Sequence, residues 1–398
     1  MMARTPAAAN VETRRAVHVV QISRDSDLLR PASLPEPVQR QLDEARELSL
    51  RAPGSLVTII VFTPNASVGW QQENVRVVPI RASAQGAVAL TRILQALHRA
   101  APISVITTQV PHEEGWLALA VARWHRIPVI AQLHSDLFAH PAPGPIGRRA
   151  MRAAHNWITR RSLRAFAAVR TVSSLNRAAV TKFAPGVRVA TIPVPHAPLP
   201  SRRTAALSAR SKKPLVLCVG RLAAGRDLLT WLQVAAVVSR RHPDARFVVA
   251  GEGSERSRLQ AAAAKLGLAR VIEFAGSVLD GELQELYAQA TAVLMTSGGA
   301  ESARALVEAA SQGTAAVSTA APGPRDVVVN GVTGFLHEPG DVAALADSVC
   351  ALLREPARAA MMGAQARTLV SVKFNPQRLR RAWVDLWVTT ARQGAPSA

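Results

Sequence analysis

Two textures alternate along this chain. Short runs of Val, Ile, Leu and Ala read as strands buried on both faces. Longer stretches in which apolar residues return every third or fourth position read as helices with one apolar side. In the first half the strands are Val17–Ile22, Leu56–Phe62, Val75–Pro79, Ser104–Thr107 and Pro128–Leu133. The helices between them are Pro37–Leu50, Ala87–Arg99 and Gly115–Trp124. Val38, Leu42 and Ala45 share one side of the first helix, and Leu90, Ile93, Leu94 and Leu97 one side of the second. Strands alternating with helices in this way predict a parallel, doubly wound sheet.

The pattern lapses over Pro198–Pro214, a basic stretch with no apolar period that reads as a linker. It then resumes. Strands are expected at Leu215–Val219, Arg246–Ala250, Val271–Phe274, Ala292–Met295 and Ala315–Ser318. Helices are expected at Leu228–Arg240, Glu255–Leu266, Glu282–Ala288, Ala305–Gln312 and Val342–Arg354. The tail Pro376–Ala391 carries Leu379, Trp383, Leu386 and Trp387, a helical stripe that must be buried against something. The expected organisation is a disordered tail over 1–14, an acceptor domain over 15–200 and a linker over 201–213. A nucleotide-binding domain over 214–372 follows, and a terminal helix within 373–398 packs back on the first domain.

Composition narrows this picture. A chain of 398 residues is too long for one ordinary core, and 48% hydrophobic with 19% charged residues suits a globular protein. No apolar run approaches the ~20 residues that span a bilayer. Cys218 and Cys350 fall in an apolar strand and an apolar helix, which argues for buried thiols in a reducing cytoplasm, with no disulfide framework or zinc site. The formal charge is +21, yet only five of the 48 basic residues are lysine. The charge reads either as solvated arginine or as attraction to phosphate-bearing substrates and anionic lipid. Aromatic residues are too few, at 4%, and too far from the basic runs to stack on bases, so nucleic-acid binding is not expected. Residues 147–164 combine Arg148, Arg149, Arg152, Arg160, Arg161 and Arg164 with Trp157, Ile158 and Leu163, a pattern compatible with a peripheral helix on an anionic membrane surface or with an ordinary half-buried one.

Four constellations carry chemistry. Gly220-Arg221-Leu222 ends a strand, and Arg226-Asp227 stands at the next helix start. Two guanidinium groups beside helix N–H groups would hold a diphosphate and stabilise the charge it gains as a leaving group. Gly251-Glu252-Gly253 is a second strand-to-helix turn, where glycine permits a sharp bend or close approach to a ligand. Glu301 and Glu308 stand seven positions apart, nearly two helical turns, and carboxylates suit pairs of sugar hydroxyls. His134 follows a buried strand directly, at the edge where open α/β sheets bind ligands.

Together these pieces resemble family 4 of the retaining GT-B glycosyltransferases. The likeness is strongest from Pro214 to about Leu353. Arg221 and Arg226 match the family's diphosphate-binding pair, with Arg in place of Lys at 226. Gly251-Glu-Gly253 matches its Gly-x-Gly turn, Phe274-Ala-Gly276 its base-packing strand end, and Thr296-Ser297 the residues before its acidic motif. Pro322-Gly-Pro324 and Asn330-Gly-Val-Thr-Gly334 match later turns. In the first half, Ile22-Ser-Arg-Asp25, Ile106-Thr-Thr-Gln109, Gln132-Leu-His-Ser-Asp136 and Thr171-Val-Ser-Ser174 occur in the family's order.

The resemblance implies two Rossmann-like domains facing a cleft, and sugar transfer with retention from a nucleotide-diphospho-sugar to a glycan, lipid-linked or small-molecule acceptor. No cofactor or metal is implied. Arg221 and Arg226 would neutralise the departing diphosphate, and Glu308 would bind the ribose. Glu301 would bind the donor sugar, and His134 the reacting sugar or phosphate. Gly220, Gly251, Gly253, Phe274 and Leu306 would complete the donor site. Attack from the front face needs no protein nucleophile. The chain departs from the family in three ways. Six residues instead of seven separate Glu301 and Glu308, about 100° of helix. Ser23-Arg-Asp-Ser26 replaces a Gly-Gly turn, and Val110 and His112 replace an acidic and an aromatic residue. The shortened acidic spacing and the lost Gly-Gly turn motivate one alternative, a non-catalytic homologue serving as a partner subunit; similar architecture alone admits another, a nucleotide-sugar epimerase.

Overall fold

A computed structural model of the protein describes residues 15–64, 67–82, 84–134, 156–194, 213–297 and 300–394. The expected tail over 1–14, most of the linker and residues 147–155 of the basic segment lie outside the described residues. The chain forms two compact units: Met1–Ile192 with Leu379–Ala398, and Pro193–Arg378. Both units are parallel-sheet α/β domains.

In the first unit, eight strands run in the order β3-β4-β2-β1-β5-β6-β7-β8. They are β1 (His18–Ser23), β2 (Leu56–Thr63), β3 (Trp70–Gln72), β4 (Val75–Arg81), β5 (Val105–Thr108), β6 (Val129–Leu133), β7 (Ala168–Thr171) and β8 (Arg188–Thr191). All neighbours pair in parallel except β3 with β4. The fully parallel sheet expected from sequence thus gains one short antiparallel edge strand. Trp70-Gln-Gln72 is too short and too polar to show strand periodicity. It is fixed instead by pairing and by the Trp70 indole donating to the Leu28 carbonyl (2.8 Å).

Helices cover both faces of this sheet, as two-sided burial of its strands demands. On one face lie α1 (Glu36–Arg51) and the terminal helix of the chain. On the other lie α2 (Ala84–Ala100), α3 (Glu113–His125) and α4 (Ser174–Phe183). The terminal stripe Leu379, Trp383, Leu386 and Trp387 is buried in the same cluster as Val38 and Leu42 of α1. Each such large side chain contributes about 1.5–3 kcal/mol on burial. Arg51 pairs with Asp385, and Arg380 with Asp43 at 2.7 Å, which sets the terminal helix against α1.

The second unit holds six parallel strands in the order β11-β10-β9-β12-β13-β14. They are β9 (Leu215–Val219), β10 (Arg246–Ala250), β11 (Ile272–Gly276), β12 (Ala292–Met295), β13 (Ala315–Thr319) and β14 (Gly334–His337). Its helices are α5 (Leu228–Arg241), α6 (Arg256–Lys265), α7 (Asp280–Gln289), α8 (Ala300–Ser311), α9 (Pro324–Val327), α10 (Val342–Arg354) and α11 (Pro356–Lys373); the terminal helix, α12 (Pro376–Gln393), belongs from Leu379 onward to the first unit. Helix α11 has no counterpart in the sequence reading. It buries mainly small groups, Ala359, Gly363 and Ala366, which leave no stripe of large apolar residues to read. Gly363 is required there, because a Cβ would stand 1.9 Å from the Gly313 carbonyl oxygen.

Candidate active site

In an open α/β sheet the ligand crevice forms where the strand order reverses. In the second unit that point lies between β9 and β12. Strand β9 runs into Gly220-Arg221-Leu222, and β12 into Thr296-Ser297. Arg226 bridges the two edges, its Nη1 donating to Ser297 Oγ at 3.4 Å. Its guanidinium also lies across the first turn: a Cβ at Gly220 would sit 3.5 Å from Arg226 Nη2. Thr296 Oγ1 donates to the Asp227 carbonyl (2.8 Å), latching the loop to β12. Asp227 caps α5 in the left-handed region (φ 48°). Arg221 is exposed on this loop. Beneath it, burial pushes the Cys218 thiol up to about 12, with Arg226 pulling the other way, so Cys218 is an inert core thiol.

The two glycine turns are built against each other. Gly220 N–H donates to the Ala250 carbonyl (3.0 Å) and Leu222 N–H to the Glu252 carbonyl (2.8 Å). A Cβ on Gly251 would stand 2.0 Å from the Gly220 carbonyl oxygen, and one on Gly253 2.1 Å from that of Leu222. Their lack of side chains is therefore demanded by the neighbouring backbone. Phe274 is half-buried against the core near the end of β11, where its carbonyl accepts from Arg256 Nη2 (3.2 Å). Gly334 of the later turn is likewise structural, with a Cβ falling 2.2 Å from the Ala316 carbonyl oxygen.

Helix α8 begins at Ala300, earlier than the sequence reading placed it, so Glu301 and Glu308 both lie within it. Their spacing puts them near one face. The Glu301 side chain lies outside the described residues. Glu308 is held from two sides: Tyr287 donates its hydroxyl to Oε2 (3.0 Å) and Arg304 Nε donates to Oε1 (2.9 Å). Tyr287, the sole tyrosine of the chain, is fully buried. Burial and the adjacent Glu308 carboxylate push its phenol well above the usual range. Leu306 is 1% exposed within the core, so its side chain supports the helix from beneath and offers no ligand surface. Beside the edge strand β11, a separate hollow of ≈ 320 Å³ is lined by Glu273, Glu282 and Glu285, carboxylates that would repel an anion.

In the first unit the order reverses between β1 and β5. Arg24 stands at that point. It pairs with Glu114, and with Glu113 at 3.4 Å, both in the first turn of α3. The Arg24 N–H also points at Gln109 Oε1 (3.4 Å). His134 follows β6, half-buried, with Nε2 3.2 Å from Gln132 Oε1. Burial, then the charges of Arg170 and Arg40, pull its pKa down to about 3. Ser135 and Asp136 lie outside the described residues. Sequence reasoning missed Tyr287, Arg304 and Arg170. A lone Arg inside the apolar run Ala168–Thr171 is the signal that could have found the last.

These positions coincide with known family regions. The model for group 1 glycosyl transferases matches residues 202–369, and that for the glycosyl transferase 4-like domain matches residues 44–195. This chain belongs to the family 4-like GT-B glycosyltransferases. Among relatives, a glycogen synthase of Mycobacterium tuberculosis is 27% identical over 294 residues, 71% of this chain and 69% of its own. Among solved structures, a sucrose-phosphate synthase from Thermosynechococcus elongatus superposes with TM-score 0.72 at 20% identity, covering 94% of this chain and 98% of that one. HepE of Anabaena in complex with UDP gives 0.71 at 16% identity, covering 94% and 100%. At such identities the structural likeness establishes the GT-B fold, and the family match establishes glycosyl transfer. Among the described residues of this glycosyltransferase, no three His, Cys, Asp or Glu side chains are grouped as metal ligands, and no helix is long and apolar enough to cross a membrane.

Proposed function

We propose that the protein transfers one sugar, with retention of configuration and without a metal, from a nucleotide-diphospho-sugar to a glycan, lipid-linked or small-molecule acceptor. The observation that carries this reading is the pair of arginines at the β9/β12 reversal, one exposed and one spanning the crevice to Ser297. Arg221 and Arg226 neutralise the diphosphate as the glycosidic bond breaks, beside the N-terminus of α5. Glu308, pre-oriented by Tyr287 and Arg304, accepts hydrogen bonds from the ribose. Glu301, on the same helix, does so from the donor sugar. Gly220, Gly251 and Gly253 keep the loops low enough for the diphosphate to lie on them, and Phe274 flanks the base. The first unit supplies the acceptor surface.

UDP-, GDP- and ADP-sugars should be screened by thermal shift, because a bound donor raises the melting temperature in proportion to its affinity. The best donor then enters a transfer assay. The anomeric configuration of the product, read by NMR, decides retention, and undiminished turnover in chelator decides metal independence. Turnover by Arg221→Ala equal to that of the parent would sink the assignment. Epimerisation of free donor, or no donor binding at all, would favour an epimerase or a non-catalytic subunit respectively.

We also propose that the protein works at the cytoplasmic face of a membrane. Trp157 and Ile158 are 63% and 40% exposed, on a helical segment that also exposes Arg161 and Arg164. Apolar and basic groups on one outward surface suit an anionic interface. Co-sedimentation with phosphatidylglycerol vesicles, lost in Trp157→Ser with Arg161→Ser, is expected; equal pelleting of parent and variant would refute it.

A further inference from the structure

At the C-terminal end of β6, four side chains form a hydrogen-bonded series. Arg170 donates from Nε to the Ile192 carbonyl (3.0 Å) and from Nη1 to Gln132 Oε1 (3.0 Å). Gln132 Nε2 donates to Thr107 Oγ1 (3.1 Å). A guanidinium can only donate. The Gln132 atom facing Arg170 is therefore its carbonyl oxygen, since flipping the amide would set donor against donor. His134 Nε2 lies 3.2 Å from that same oxygen, so it too must carry a hydrogen. We infer that Gln132 and Arg170 are positioning residues for His134: they fix its imidazole as the Nε2–H tautomer and leave Nδ1 as a lone-pair acceptor.

The far end of the series is anchored. Arg170 is 4% exposed and its guanidinium stacks 4.6 Å from the centre of the Trp383 ring on α12. Buried Glu44 on α1 lies close enough to interact with its charge. The terminal helix therefore reaches His134 through Trp383, Arg170 and Gln132. Burial and the nearby cations also keep the ring neutral, which agrees with the geometry. A neutral ring with an open Nδ1 accepts a hydrogen bond from a hydroxyl and offers that nitrogen to no anion. On the glycosyltransferase reading, on which this step rests, His134 meets a sugar hydroxyl, and the leaving diphosphate falls to Arg221 and Arg226.

The tautomer can be read with no substrate present. Long-range proton–nitrogen spectra of nitrogen-15 histidine-labelled protein at neutral pH should show His134 protonated at Nε2 and bare at Nδ1. The His134→Gln variant assigns the signals. A proton on Nδ1, alone or in a charged ring, would overturn the inference. Arg170→Met and Gln132→Met should each shift the tautomer balance toward Nδ1–H. If Arg170→Met does not fold, Gln132→Met carries the test, because it removes the shared oxygen alone; an unshifted balance there counts against positioning. For the role, monodeoxy donor and acceptor sugars are compared on parent and His134→Ala. One analogue should lose about tenfold in kcat/KM on the parent and nothing further on the variant. The sugar it belongs to identifies the partner. UDP or GDP inhibition weakened about tenfold in His134→Ala would instead assign the ring to phosphate and refute the hydroxyl role. Absence of transfer with every donor, with the expected tautomer present, would sink the transferase reading and the hydroxyl role but not the positioning.

Discussion

The two sheets end differently at the points where their strand orders reverse. In the second unit, bare glycine turns lie backbone against backbone, and two arginines rise over them. In the first, the corresponding place is taken by Arg24 paired with Glu113 and Glu114, and the neighbouring strand ends carry Gln132, Thr107 and the buried Arg170 around His134. The same architecture thus presents two arginines at one reversal and one arginine paired with two carboxylates at the other. A pair of arginines suits a dianionic phosphate group; an amide, a hydroxyl and a neutral imidazole suit polyols, which need donors and acceptors. Both units are parallel-sheet α/β domains with a reversal in strand order, so what separates the two reversals is side-chain chemistry at the strand ends.

Disturbing the second unit's reversal is expected to cost most. Arg226→Ala should lower kcat/KM about 10²–10³-fold, the scale for removing one group that stabilises transition-state charge, while the melting temperature stays near that of the parent. Gly251→Ala should destabilise the second unit by about 2–3 kcal/mol, because its methyl would meet the Gly220 carbonyl oxygen at 2.0 Å. A lower urea midpoint with an unchanged slope is the readout, and an unshifted midpoint would show that the loops can part. Tyr287→Phe removes a hydroxyl from a carboxylate it orients. A rise of about tenfold in donor KM is expected, with kcat changing less.

A separate effect, confined to acid solution, concerns pH. The His134 pKa is pulled from the ordinary 6.5 to about 3 in the folded protein. Between those values the unfolded chain binds the proton that the native ring refuses. This contribution is therefore fully present above about 6.5 and is lost as pH falls toward 3. His134→Gln should show a shallower loss of stability over that window and equal the parent's slope above it. Parallel curves throughout would mean that the imidazole titrates normally.

How much of this was legible in the sequence follows from what each feature is made of. Strands β9, β10 and β12 and helix α10 were readable to the residue, because their burial is carried by runs or stripes of large apolar side chains. Helix α11 was not, because its packing relies on Ala and Gly. The start of α8 was read late for a similar reason: Ala300-Glu-Ser-Ala303 has no apolar stripe. The place of Arg221 and Arg226 at the strand end was readable because both stand in the one turn that follows β9. The support of Glu308 by Tyr287, and of His134 by Arg170 through Gln132, was not. Each depends on pairing between elements that lie far apart in the chain, which spacing alone does not encode.

The claim that arginines at the second reversal grip a diphosphate is tested most directly by calorimetric titration with paired nucleotides, UDP against UMP and GDP against GMP. For the preferred base, the diphosphate should bind at least about tenfold tighter than the monophosphate, and the gap should close in Arg221→Ala and Arg226→Ala. Equal binding of both nucleotides by the parent, or a gap that survives both substitutions, would contradict the account.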